Sequence, residues 1–290
     1  MTAAVPITVI VPTVYAPPRA WAAAEVLREQ VSAIGGEIIV ATGHEIATPA
    51  PRPPCRVLHA PGTDIFGLRA AAVPEARGDL VAVLEDHIAV PDDYCIRVVE
   101  AFAGDKDVLA VVGTVTNGAP RVLDRASFLL TWAPFLAPLD EVPQDRCPAP
   151  GAIAFRRSAL PVTAPPDGWL EYELPVELRD QGRMKVANRV SVVHDQKVGL
   201  RGFSLQYHAG RGYSGLEHEP RSSVGRRERL RQAAAIPKTL VDQTRTGLRR
   251  SGQRESFACM SAVTAFAVCN ALGQMAGVLR GAGSSPKHLE

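Results

Sequence analysis

The chain has 290 residues, 46% hydrophobic and 21% charged, a globular composition long enough for one large domain plus an appendage rather than for a fibrous or disordered polypeptide. Five scattered cysteines, Cys55, Cys95, Cys147, Cys259 and Cys269, carry no CxxC or zinc-finger spacing, which favours free thiols in a reducing compartment and leaves room for one disulfide. The net charge of +2 hides an uneven distribution: Arg221 to Arg254 holds ten Lys/Arg against Glu228 and Asp242, a local +8 that leaves −6 for the rest.

The N-terminal stretch has no basic flank before its apolar run, and its Val/Ile/Thr content reads as a first strand, ITVIVP (7–12), not a signal peptide. A helix follows over 17–34, opened by prolines, and then a second strand, EIIVAT (37–42). After a Pro-rich loop come a strand RVLHA (56–60), a helix over 64–76 that Pro74 kinks or ends, and a strand DLVAVL (79–84). This β-α-β-β-α-β order predicts an α/β fold with a mixed, mostly parallel sheet flanked by helices. Ligands of such sheets collect at the carboxyl ends of the strands. PTVY (12–15), TGHE (42–45) and LEDH (84–87) all sit at such ends, so one crevice is expected there.

The second half is less regular. Strands are predicted at 107–116, 151–157 and 189–194, and a helix over 169–182 that Gly182 ends. Residues 117–150, rich in proline and with two aromatic clusters, read as an irregular flap. The stretch 256–279 has no charged residue over 24 positions, yet its Ala, Ser, Thr, Gly, Asn and Gln content weakens any drive to insert. A helix packed on the domain and an interfacial helix beside the basic segment rank above a true span.

Glu85, Asp86 and His87 together offer hard and borderline ligands that suit a divalent cation such as Mg²⁺ or Mn²⁺; alone they could equally form a solvated turn. The series VPTVY, EIIVATGHE, LRAAAVPEARGD and LEDH resembles, in order and spacing, the family 2 glycosyltransferases of the GT-A (Rossmann-like) fold, over roughly residues 5–215. The family's first strand ends in Pro-Thr, its second reads EIIVVDDGS, a helix carries Arg-Asn before A-x-G-D, and the next strand ends in Leu-Asp-Asp-Asp. The resemblance implies a catalytic domain over 1–215, with a nucleotide-sugar half at about 1–116 and an acceptor half at about 117–215. A helical C-terminal extension, the basic segment and the uncharged helix, occupies 216–290.

Position by position, the resemblance implies that Pro12, Thr13, Val14, Tyr15 and Thr42 bind the donor nucleotide. Arg69, Glu85, Asp86 and Arg211 would bind its diphosphate or sugar, Arg211 from the QYHAGRGYSG segment whose glycines would let the chain close over the site. His87 and His194 would hold the metal with Glu85, and Glu171 would be the general base. An imidazole at 87 where the family has a carboxylate tilts the expected ion from Mg²⁺ toward Mn²⁺.

The function so implied is an inverting transfer from a nucleotide-diphosphate sugar, with UDP-sugar the expectation, to a hydroxyl acceptor that is lipid-linked or membrane-proximal. The expected setting is cytoplasmic, peripheral on the inner face of the membrane through 221–281, with no nucleic-acid partner. Two other readings stand beside it. A nucleotidyltransferase would carry a G-x-G-T-R signature after the first strand, which is missing. A catalytically silent nucleotide-binding or scaffold protein would explain why TG and LEDH replace the family's acids.

Overall fold

A computed structural model describes residues 5–15, 18–45, 52–144, 151, 153–216 and 224–289. Cys147, Arg221 and part of the Pro-rich stretch lie outside them. The chain forms two compact units, Met1–Thr116 with Ala137–His194, and Asn117–Leu136 with Asp195–Glu290. The division therefore falls after His194 rather than after residue 215, and the segment following Thr116 contributes to the helical unit.

The first unit is built on an eight-stranded sheet of order β3-β2-β1-β4-β7-β6-β8-β5. Its strands are β1 (Ile7–Thr13), β2 (Glu37–Thr42), β3 (Cys55–His59), β4 (Leu80–Val83), β5 (Ile88–Ala89), β6 (Ala110–Asn117), β7 (Ile153–Arg156) and β8 (Met184–His194). The β3-β2-β1-β4 block is parallel, while β4-β7, β7-β6 and β8-β5 are antiparallel, so the sheet is mixed. Every residue of β1, β2 and β4 is buried, the pattern of strands covered on both faces. β5 follows β4 by only a turn yet pairs at the far end of the order, which requires the sheet to curl.

Helix α1 (Pro18–Ala33) buries Ala20, Ala24, Leu27 and Val31 at helical spacing and turns Glu25, Arg28 and Glu29 outward. Asp64 caps α2 (Ile65–Ala72) by accepting from the Gly67 amide at 3.0 Å. The A-x-G-D motif has a local cause: a Cβ at Gly78 would lie 2.3 Å from the Thr8 nitrogen, and the Gly78 amide donates to Thr8 Oγ1 at 2.8 Å. A residue with a side chain could not feed β4 into the sheet there. Helix α3 (Tyr94–Ala101) follows β5, with Asp93 at its N-cap.

The second unit is helical. Helix α4 (Val122–Trp132) occupies part of the segment read as an irregular flap, because Ala126, Phe128, Leu129 and Leu130 are buried and give it a packing face. Helix α5 (Leu174–Asp180) belongs to the first unit; α6 (Arg201–Leu216), α7 (Arg226–Arg250) and α8 (Phe257–Arg280) complete the second. The glycines of QYHAGRGYSG form no loop. They lie in α6, where Gly210 admits close contact with α8: a Cβ there would fall 2.1 Å from the Asn270 carbonyl oxygen.

Candidate active site

The parallel ladder ends where the Leu84 amide donates to the Ile10 carbonyl at 2.9 Å, and the next four residues form a turn closed by Ile88 N–H to the Glu85 carbonyl at 3.1 Å. The turn delivers the chain into β5, where Ile88 pairs with His194. Strand LVAVL thus stops on charge because a reversal is built there, and the reversal carries Glu85, Asp86 and His87 to the end of β8.

Glu85, His87 and His194 each offer a ligand atom to one point, all within 4.8 Å of one another. His87 Nε2 is 3.1 Å from Glu85 Oε2 and 3.1 Å from His194 Nε2, and His194 Nε2 is 3.6 Å from Glu85 Oε2. Ligands bonded at about 2.0–2.2 Å to one divalent cation lie roughly 3.0–3.6 Å apart, so the separations fit. Two imidazoles and one carboxylate make a borderline donor set, suited to Mn²⁺ better than to Mg²⁺. Burial acts to raise the Glu85 pKa, but hydrogen bonds from His194 and His87, with the charges of His87 and Arg69, outweigh it and hold the carboxyl well below its usual range.

Arg69 is not a solvated helix arginine. It is 3% exposed, and its guanidinium bridges Glu85 Oε1 and Glu171 Oε1, each at 3.1 Å. Glu171 lies in a π-helical turn, Trp169–Glu173, that opens on Gly168 at φ 85° and runs into α5. Pro175 has no N–H to return to the Glu171 carbonyl, and the ladder widens just before it, with Leu174 N–H bonding to the Trp169 carbonyl. Phe66 and Tyr172 meet edge to face at 5.8 Å, fastening α2 to this turn. Burial raises the Glu171 pKa above the ordinary value, and the Arg69 charge and hydrogen bond only partly oppose it.

The other predicted residues fall in different places. Asp86 does not open onto the cation point: Oδ2 accepts from Thr13 Oγ1 at 2.6 Å, Oδ1 lies 3.2 Å from His87 Nδ1, and the side chain is fully buried. Thr13, Pro12 and Thr42 are also buried, and the Thr42 hydroxyl accepts from the His44 amide at 3.2 Å. Val14 and Tyr15 keep partial exposure. His44, an exposed residue that sequence reasoning passed over, places Nε2 2.8 Å from the Val14 carbonyl and ties the loops after β1 and β2 together. Its signal was TGHE at a strand end. Arg211 belongs to the helical unit, where its Nε donates to the Gly281 carbonyl at 3.1 Å.

No protein-family model matches the chain, and no curated protein does. Solved structures do. A mannosyltransferase from Pyrobaculum calidifontis, determined with GDP-Man and Mn²⁺, is 14% identical, with a TM-score of 0.54 over 94% of this chain and 88% of that one. Glucosyl-3-phosphoglycerate synthase from Mycobacterium tuberculosis, determined with phosphoglyceric acid, is 15% identical, with a TM-score of 0.46 over 88% of this chain and 82% of that one. The chain has the GT-A fold.

Proposed function

We propose that the protein is an inverting glycosyltransferase that moves a sugar from a nucleotide-diphosphate donor, a UDP-sugar, to an acceptor hydroxyl. The observation that carries the reading is the convergence of Glu85, His87 and His194 with Arg69 and Glu171 at the carboxyl ends of the strands of a GT-A sheet. Glu171 would take the acceptor proton as the hydroxyl attacks C1, and its raised pKa makes it a stronger base than an ordinary carboxylate. Displacement in line at C1 inverts the anomeric centre. A divalent cation held by Glu85, His87 and His194 would offset the charge on the departing diphosphate. The retained base and cation ligands favour this over a silent scaffold, which would have no use for either.

Nucleotide identity is open to a direct test. UDP and GDP sugars, each with and without Mn²⁺, are expected to raise the unfolding temperature only in the presence of the ion, and UDP-sugars more than GDP-sugars. Greater stabilisation by GDP-sugars would overturn the UDP assignment. No stabilisation by any nucleotide-sugar, together with no sugar transfer, would sink the enzyme reading.

A membrane-proximal, lipid-linked acceptor is part of the same proposal. Helix α8 leaves Phe257, Val268, Leu272 and Leu279 exposed, while 39% of its most apolar 18-residue window is buried. Helix α7 beside it exposes Arg226, Arg227, Arg231, Lys238, Arg245 and Arg249. Arg226 donates to the Leu279 carbonyl, so cationic and apolar surface adjoin at that end. The protein is expected to co-sediment with vesicles containing anionic phosphatidylglycerol and not with pure phosphatidylcholine, and Leu272→Glu should weaken the association. Equal recovery without vesicles would remove the membrane from the proposal.

A further inference from the structure

We propose that Asp86, braced by Thr13, is a positioning residue that makes His87 a metal ligand through Nε2. The inference rests on the cation site of the preceding reading, not on sugar transfer itself.

An imidazole can serve a cation through only one nitrogen at a time, and the partner of the other nitrogen decides which. In His87 the two nitrogens face different surroundings. Nε2 meets Glu85 Oε2 and His194 Nε2, both at 3.1 Å, and Nδ1 meets Asp86 Oδ1 at 3.2 Å. With a cation bound, Glu85 would be engaged as its ligand, and Asp86 would be the carboxylate left to retain the His87 proton at Nδ1, leaving the Nε2 lone pair for the ion. Asp86 also makes the ring a stronger electron donor, compensating in part for the negative charge that a carboxylate at 87 would have brought.

Asp86 is itself held against rotation. Its second oxygen receives the Thr13 hydroxyl at 2.6 Å, and the same hydroxyl accepts from the Tyr15 amide at 3.3 Å. The result is a directed chain, Tyr15 N–H to Thr13 Oγ1, Thr13 O–H to Asp86, and Asp86 to the His87 ring. Thr13 and Asp86, which the resemblance assigns to donor binding, thus act one layer further back, on the geometry of a ligand. The chain of bonds spans 73 positions between Thr13 and Asp86, joining the end of β1 to the turn after β4.

Manganese alone, without nucleotide, tests the proposal. Free Mn²⁺ measured by electron paramagnetic resonance gives its affinity for the full-length protein and for Asp86→Asn and Thr13→Val. Asp86→Asn keeps the shape and removes the charge; it is expected to weaken Mn²⁺ binding roughly 10–100-fold, and Thr13→Val to weaken it by less, with metal-free unfolding little changed. Nitrogen-15 spectra of histidine-labelled protein loaded with Zn²⁺ should show His87 protonated at Nδ1 and bound through Nε2.

Wild-type affinity in Asp86→Asn, or ligation through Nδ1, would overturn the proposal. Should Asp86→Asn fail to fold, Thr13→Val decides, since a folded Thr13→Val with unchanged affinity overturns it as well. A wild-type protein that binds no Mn²⁺ also overturns it, and leaves sugar transfer to be judged by the donor assay. Conversely, Mn²⁺ binding of the expected pattern in a protein that transfers no sugar would uphold the positioning role and remove the enzyme reading.

Discussion

Glu171→Gln is expected to lower kcat for sugar transfer by roughly 10²–10⁴-fold while leaving the affinities for Mn²⁺ and donor close to wild type. Glutamine preserves the side chain's shape and can still accept from Arg69 Nη1, which now lies 3.1 Å from Glu171 Oε1, but it cannot take a proton. The pH profile supplies a second signature. Because burial raises the Glu171 pKa, the acid limb of the rate, where the base becomes protonated and transfer is lost as pH falls, should lie above the ordinary carboxylate range. Full transfer in Glu171→Gln would move the base elsewhere in the site.

Arg69→Met is the companion experiment on stability. It leaves Glu85 and Glu171 facing each other's charge without the guanidinium that now bridges them, and Glu171 is almost fully buried. Removing one partner from a buried ionic network costs about 3–5 kcal/mol, chiefly because the remaining charge stays desolvated. Chemical denaturation near neutral pH should read that loss. The deficit should narrow as the solution is acidified: with Arg69 gone, burial favours the protonated Glu171 carboxyl in the folded state over the unfolded chain, so folding takes up a proton and stability rises as pH falls through that range. A variant as stable as wild type, with an unchanged pH dependence, would mean that the bridge contributes little.

The strands were legible because their residues are apolar and β-branched without alternation, and ITVIV and EIIVA can hardly be anything but fully covered strands. The order of Glu85, His87 and His194 was legible too. What a linear reading misses is direction. Glu85, Asp86 and His87 are neighbours in the chain, but the turn aims the first and third at His194 and leaves the second to Thr13. Arg69 looks like any helical arginine until Glu171, 102 positions away, is brought against it. The α6 glycines suggest a pliable loop because glycine permits many conformations; here its lack of a side chain, not its backbone freedom, is what the α8 contact uses.

The candidate cation ligands depend on one of the least substantial pieces of secondary structure among the described residues. β5 is two residues long, stands at the end of the strand order, and reaches β8 through the pairs Ile88–His194 and Ala89–Val193. Two pairings give a strand little local stability of its own, so such an edge separates far more readily than the interior of the sheet. Each separation would draw His87 away from His194 and dissolve the chelate. Retention of an ion held there would therefore be governed by the lifetime of a peripheral pairing as much as by bond strength, and the ion would in turn act as the clasp of that edge.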